Sequence, residues 1–427
     1  MRYRKLIFLT IPIYIGTLFK GPLEVIKLID RKSFFRNYVV MDYEQINSSF
    51  STDAIAQAYG IPFTDGNRVT LLWKGDDSFR TIFDAVEKAK ELICLEFYIF
   101  RNDETGNELA EILKRKALEG LKVYVLYDHF GSLITPMKFW RDLRKAGVQI
   151  RAARPLKWTD PFHYVHRDHK KLLIIDGVIA FTGGLNIANE YRGYRRVRQV
   201  KGWRDTGIFL EGPVAKTLLE IFKKSWQIWK GPAIHFDQSA EPVEGGVPVL
   251  PIFVDSAKGR RGMRKLLYYS IDQARTCIYL TTAYFTPGRR MLHVLEEAEA
   301  RGVDVKLLLP GKSDVTAAHY AGRAIFAKLL KAGVEIYTYQ GEILHAKTAV
   351  FDGVWSVIGS ANLDFQSLRK NDEGNVGIID VEFGKQMKEV FEEDLRQSKQ
   401  ITIDAWSKRS LWEKVKEQFF GLFRRRL

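Results

Sequence analysis

Cysteine is nearly absent from this chain of 427 residues: it has two, Cys94 and Cys277, far apart and each inside an apolar run. That excludes a disulfide framework or a zinc cage and predicts buried thiols in a cytosol-facing protein. No G-x-x-x-x-G-K-[ST] loop occurs, so no nucleotide-driven step is expected. The N-terminal apolar run, Leu6 to Phe19, is 14 residues long and interrupted by Pro12. As a helix it would reach about 21 Å against a hydrocarbon core of about 30 Å, which argues against a full span. Gly16 to Lys20 makes a poor cleavage site, so a retained anchor is expected rather than a secretory signal.

What is present is apolar, aromatic and basic. With 46% hydrophobic and 13% aromatic residues the chain is a folded one, with room for two cores. Its net charge of +15 suits an anionic partner: nucleic acid, an anionic lipid surface or a phosphate-bearing substrate. The termini favour the membrane. Residues 23–29 keep apolar groups near helical spacing, as a helix in the headgroup plane or one packed on the first domain would. At the other end, SLWEKVKEQFFGLFRRRL (residues 410–427) places Leu411, Trp412, Val415, Phe419, Leu422 and Phe423 near i, i+3/i+4 positions and ends in three arginines. That pattern suits an anionic interface and equally a helix docked on the core.

Internal repetition organises the rest. The runs of residues 92–100 and 277–285 correspond, as do Glu119-Gly120-Leu121-Lys122-Val123 and Arg301-Gly302-Val303-Asp304-Val305, and Lys145-Ala146-Gly147-Val148 and Lys331-Ala332-Gly333-Val334. Short β-rich runs alternate with helical stretches at residues 77–92, 107–119 and 261–273. The expected fold is α/β: two homologous lobes, each a mixed sheet flanked by helices. Residues 231–251, rich in Pro and Gly, read as the connector. The expected organisation is an N-terminal membrane-associated segment (1–45), a first lobe (46–235), a second lobe (236–405) and a C-terminal amphipathic basic helix (406–427).

Each lobe carries the same constellation. His169-Lys170-Lys171 leads through Asp176-Gly177 to Gly183-Gly184 and Asn186, and His345-Ala346-Lys347 leads through Asp352-Gly353 to Gly359-Ser360 and Asn362. Both spell H-x-K-x4-D with an Asn ten residues after the Asp. On a strand, His169 and Lys171 share a face, as do His345 and Lys347. Asp-Gly between apolar runs is a hairpin signal, so Asp176 and Asp352 are candidates for the site and for the turn alike. Gly184 and Ser360 would let a phosphate approach backbone N–H groups, and Asn186 and Asn362 would add amide donors or cap turns.

Two imidazoles at one phosphodiester suit a two-step displacement: one attacks phosphorus to give a phosphohistidine, and the other donates, then removes, a proton. Lys171 and Lys347 would neutralise phosphate oxygens, so no metal or other cofactor is expected. His163 and His166 precede His169, but no clustered carboxylates complete a metal site. Asp205, in Trp203-Arg204-Asp205, and Glu373, in Asn371-Asp372-Glu373, stand at comparable distances downstream of His169 and His345 and are candidates to orient the imidazole of their own lobe. Arg192, Arg195, Arg196, Arg198, Lys201 and Arg204 form a cationic stretch suited to anionic headgroups or to a solvated loop. His129 and His319 are read as ordinary polar residues or as linings of an acceptor pocket.

At the doubled H-x-K-x4-D with its following Gly and Asn, the sequence resembles the phospholipase D superfamily. From Gly66-Asn67-Arg68-Val69 through Glu96-Phe97-Tyr98-Ile99-Phe100, Tyr127-Asp128-His129-Phe130-Gly131-Ser132 and Trp203-Arg204-Asp205 to Leu344-His345-Ala346-Lys347 and Asn371-Asp372-Glu373, it is similar to bacterial cardiolipin synthases. The resemblance covers about residues 60–405. It implies phosphatidyl transfer between two phosphatidylglycerol molecules, giving cardiolipin and glycerol, at a pseudo-two-fold lobe interface on the cytoplasmic face of the membrane. By the same analogy His169 is the nucleophile and His345 the general acid/base. Relatives commonly have two N-terminal transmembrane helices, where this chain has one short apolar run, so a monotopic or peripheral attachment is expected. The implied partners are anionic phospholipid and the membrane surface. Hydrolytic phospholipase D and nuclease activities are the alternatives within the superfamily, though membrane-seeking termini would serve no purpose on nucleic acid. A homodimer is admitted, but the sequence does not determine the oligomeric state.

Overall fold

The computed structural model describes residues 50–155, 166–193 and 202–424. The N-terminal segment expected to be membrane-associated lies outside the described residues. So do His163, Arg195, Arg196, Arg198, Lys201 and the last three residues.

The first half runs α1 (Thr52–Tyr59), β1 (Thr64–Leu72), α2 (Gly75–Glu87), β2 (Leu92–Phe97), α3 (Glu104–Leu118), β3 (Lys122–Asp128), α4 (Met137–Lys145), β4 (Gln149–Ala153), β5 (Lys171–Ile175), β6 (Ile179–Gly183), α5 (Asn189–Arg192), β7 (Gly207–Glu211) and α6 (Val214–Ile228). The second repeats the plan with β8 (Val247–Val254), α7 (Ala257–Gln273), β9 (Cys277–Thr281), α8 (Arg289–Ala300), β10 (Asp304–Pro310), α9 (Thr316–Arg323), α10 (Phe326–Ala332), β11 (Glu335–Tyr339), β12 (Thr348–Phe351), β13 (Trp355–Gly359), α11 (Phe365–Arg369), β14 (Glu373–Ile379) and α12 (Val381–Arg396). A tail follows, with β15 (Ser398–Ile401), α13 (Ile403–Ser407) and α14 (Leu411–Gly421).

The strands form a continuous order, β15-β11-β10-β9-β12-β13-β14-β8-β1-β7-β6-β5-β2-β3-β4. Within each half three strands are parallel (β2, β3, β4; β9, β10, β11), because helical crossovers join them, and the hairpins β5–β6 and β12–β13 pair antiparallel beside them. Parallel strands covered on both faces should be apolar throughout, and LICLEF in β2 and CIYLT in β9 are buried along their whole length. Three cores result. Phe79, Ile82, Phe83 and Val86 of α2 pack with Leu109 and Leu113 of α3 on one face of the first sheet. Met291, Leu295 and Leu329 do the same for the second. A shared core carries residues of both halves, with Leu218, Phe222 and Trp226 of α6 and Phe383, Met387 and Phe391 of α12. Each such side chain contributes about 1.5–3 kcal/mol on burial.

Two features differ from the expected organisation. Residues 247–251, read as connector, belong to β8, a strand containing Pro248 and Pro251. Proline lacks the ladder donor, and β8 pairs with β1 at only two positions with a register shift between them, so a continuous ladder is not required on that side. In addition, Phe50 and Ile55, expected within the first lobe (46–235), join the core of the second half, where α1 packs on α7.

Candidate active site

Each motif histidine is held by the opposite half. The His169 amide donates to the carbonyl of Asp372 at 2.9 Å, and the His345 amide donates to the carbonyl of Arg204 at 2.7 Å. Parallel bridges Asp168–Asp372 and Arg204–Leu344 flank these bonds. His169 stands just before β5, whose Lys171 pairs with Phe97, so it lies at the carboxyl end of β2; His345 stands in the same relation to β12 and β9.

The side chains follow the same exchange, and this corrects the expectation that each carboxylate serves its own lobe. Nδ1 of His169 lies 3.0 Å from Oε2 of Glu373, and Nδ1 of His345 lies 2.7 Å from Oδ2 of Asp205. Both carboxylates are buried and acceptor-only when ionised, so each Nδ1 carries the proton and each Nε2 is left with its lone pair. Lys171 Nζ donates to the His169 carbonyl at 2.5 Å and Lys347 Nζ to the His345 carbonyl. Lys347 Nζ also lies 2.6 Å from Nδ1 of His345; a nitrogen already donating to Asp205 cannot accept there, so this contact is electrostatic crowding rather than a hydrogen bond.

The electrostatics follow from burying two lysines and two imidazoles together. Burial and the neighbouring lysines push both histidines below their ordinary range, His169 through Lys171 and His345 through Lys347. Burial lowers Lys171 to about 7 and Lys347 to about 8, only partly opposed by Glu373 and Asp205. Burial would raise the two carboxylates, but Lys347 and His345 hold Asp205 below its ordinary range, and His169 and Lys171 do the same for Glu373. Four groups able to take up a proton stand against two carboxylates, so the pocket cannot hold all four charged without added negative charge.

Aromatic rings wall the pair. Tyr98 meets the His169 ring edge-on at 4.9 Å, and Tyr191 and Trp203 each lie 5.4 Å from the His345 ring. Tyr284, 6.3 Å from His345, also borders a cavity of about 320 Å³ lined by His319, Arg323, Thr338 and Gln340. There burial lowers His319 to about 4.

Several expected roles change. Asp176 and Asp352 do not reach the site: they sit in the hairpin turns at the far ends of β5 and β12, with φ of 51° and 55°. Asp176 accepts from the amides of Lys90, Glu91 and Leu92, and Asp352 from those of Arg275, Thr276 and Cys277. They are structural staples joining each hairpin to the start of the neighbouring strand. Gly184 makes room for a carboxylate rather than a substrate: a Cβ there would lie 2.0 Å from Oδ1 of Asp205. The Ser360 hydroxyl donates to Glu373 and accepts from the Gly374 amide. Asn186 accepts from the Ile99 amide and donates to the Tyr191 hydroxyl; Asn362 accepts from Thr282 and the Tyr284 amide, so both brace the loops after β2 and β9. Of the cationic stretch, Arg192 is paired with Asp76 and Glu108, and Arg204 is buried against Asp394.

Residues the sequence reading passed over include Tyr98, Tyr191 and a buried charge cluster behind the first motif. Lys170 meets Glu96 at 2.6 Å and Ser225 at 2.8 Å, while Asp372 is held by Arg154 and Arg260. The available signal was Glu96, one carboxylate inside the apolar run LICLEF, which a buried strand tolerates only with a cationic partner.

The same architecture occurs in a solved phosphatidylserine synthase of Haemophilus influenzae, which superposes with a TM-score of 0.68 at 14% identity, over 88% of this chain and 97% of that one. Two such lobes, each carrying the H-x-K motif, define a protein of the phospholipase D type. The family described as cardiolipin synthase, PLD-like domain, matches residues 82–226 and 267–395. A protein named probable cardiolipin synthase YwiE, of Bacillus subtilis, is 31% identical over 442 residues, 98% of this chain and 86% of its own. Cardiolipin synthase 2 of Bacillus anthracis is 35% identical over 360 residues, covering 82% and 69%. The chain belongs to the cardiolipin synthase family of phospholipase D-like proteins.

Proposed function

We propose that this protein is a cardiolipin synthase acting at the membrane, transferring a phosphatidyl group from one phosphatidylglycerol to another and releasing glycerol. The observation that carries the reading is the crosswise pair of imidazoles, each with Nδ1 tied to a buried carboxylate of the other half. In the proposed reaction Nε2 of His169 attacks phosphorus, forming a P–N bond as the P–O bond to glycerol breaks. His345, protonated on Nε2, delivers its proton to the departing glycerol oxygen. His345 then takes a proton from the terminal hydroxyl of the second phosphatidylglycerol, whose oxygen attacks phosphorus and releases His169. Lys171 and Lys347 hold the non-bridging oxygens, which are the negative charge the pocket lacks. Entry of the phosphodiester raises the lysines and both imidazoles back toward their charged forms, which favours one protonated imidazole as substrate arrives.

The test is incubation of the purified protein with phosphatidylglycerol vesicles and mass analysis of the lipids. Cardiolipin with an equal amount of glycerol is expected. Phosphatidic acid as the sole product would replace transfer by hydrolysis. For the roles, His169→Ala is expected to prevent covalent phosphate labelling and His345→Ala to permit it.

A further inference from the structure

The C-terminal helix α14 docks in the reverse of the usual sense. Its two glutamates face the protein: Glu417 is buried and bonded to Arg323 and Arg409, and Glu413 is bonded to Arg323. Phe420 stacks on Tyr320 of α9. Leu411, Trp412, Val415, Phe419, Leu422 and Phe423 all point outward, Trp412 being 66% exposed. At about 100° per residue these six occupy one arc of about 120°. Hydrophobic patterning alone would turn that arc inward; the buried ion pairs turn it out. They also remove the helix's acidic groups from its outer side; Lys414 and Lys416 stand at the two edges of the arc, the Lys416 ammonium between the Trp412 and Tyr320 rings.

A second exposed apolar group lies in the loop between β3 and α4. Phe130, Leu133 and Ile134 are exposed there, Ile134 by 72%, as is Met137 at the start of α4. This loop borders the site, because Gly131 packs against Tyr98, the ring that meets His169, and the Arg167 guanidinium lies 4.1 Å from the Phe130 ring centroid. In the other half, Tyr284 beside His345 donates to Asp314, the residue before exposed Val315 at the start of α9, on which α14 packs. The β3–α4 loop thus stands at the carboxyl end of β3, and α9, which carries α14, follows the carboxyl end of β10, the equivalent strand of the other half.

We propose that the outward face of α14 and the β3–α4 loop form one bearing surface for an anionic lipid bilayer, which seats the mouth of the histidine pair on the membrane. The proposal rests on the lipid chemistry proposed above for that mouth. A bilayer is the occupant the chemistry fits: apolar side chains flanked by cations match acyl chains under anionic headgroups, and the substrate must leave a bilayer to enter.

The test uses the full chain with single cysteines introduced as Phe419→Cys, Ile134→Cys and Leu118→Cys, each carrying an environment-sensitive fluorophore. Native Cys94 and Cys277 are buried and escape labelling. Leu118 is the control, 76% exposed at the end of α3, ahead of the amino end of β3. On adding phosphatidylglycerol vesicles, emission at positions 419 and 134 shifts to the blue and emission at 118 does not; phosphatidylcholine vesicles give a weaker response. No shift at 419 and 134, or an equal shift at all three, overturns the proposal, and this readout is independent of turnover and of any N-terminal anchor. Trp412→Glu with Phe419→Glu is expected to lower turnover on vesicles by about tenfold or more while leaving turnover of a dispersed short-chain phosphatidylglycerol unchanged. Equal turnover on vesicles, or conversion of a dimer to a monomer with vesicle binding intact, marks the face as something other than a membrane surface. If the short-chain lipid is not turned over while the fluorophores shift, the proposed reaction fails and the bearing surface stands.

Discussion

Replacing Asp205 by asparagine tests the crosswise arrangement directly. The carboxylate lies 2.7 Å from Nδ1 of His345, both groups are buried, and its other oxygen accepts the Thr206 amide. The substitution keeps the shape and removes one charge. A hydrogen bond to a charged group contributes about 1.5–3 kcal/mol, so turnover is expected to fall by about 10- to 150-fold through weaker stabilisation of the imidazolium. The electrostatic sign is also determined: Asp205 raises His345 against burial and Lys347, so its loss moves the His345 titration further down. NMR of histidine-labelled protein reads both imidazoles at once. Asp205→Asn should move the His345 resonance and leave His169 in place, and Glu373→Gln should do the reverse. If Asp205→Asn moved His169 alone, each lobe would serve its own histidine and the exchange would be wrong.

Four further outcomes are expected. Gly184→Ala drives a Cβ into the Asp205 carboxylate, so its kinetic defect should match that of Asp205→Asn, with the same displaced His345 titration. Asp176→Ala and Asp352→Ala each strand several amides at the start of a strand; chemical denaturation should show losses of about 1–3 kcal/mol, with turnover per folded molecule largely kept. Lys171→Met should abolish turnover without lowering the melting temperature, because burial lowers this lysine from 10.5 to about 7 and the folded state carries that cost at neutral pH. Both histidines are depressed on folding, so the unfolded chain binds more protons below about 6.5; stability is complete above that pH and falls as pH drops below it, and denaturation from pH 7 to 5 should show a loss reduced in His169→Ala and His345→Ala.

The residues assigned to the proposed chemistry were legible because duplication writes them twice. His169 and His345, Lys171 and Lys347, the Asp-Gly turns and the small-residue pairs recur in the same order, and strand periodicity alone puts each histidine and lysine on one face. The two-lobe α/β plan follows from the same repeats. The aspartates of the motif were not resolved, because an Asp before Gly serves a turn or a site equally well on paper; their bonds to the amides of β2 and β9 decide for the turn. Tyr98 and the Glu96–Lys170 pair were missed because contacts across a sheet leave no period in one strand's sequence.

Local sequence therefore determined which groups are made and where along each strand they stand. Tertiary structure decided which partners they meet. Asp205 and Glu373 stand at similar spacings behind their own histidines, and a pseudo-two-fold admits same-lobe or exchanged pairing with the same residues; only the packing of the two halves selects exchange. The direction of α14 was open for a similar reason. Its apolar arc is written in the sequence, but burial of Glu417 between Arg323 and Arg409, residues separate from that helix, turns the arc away from the core.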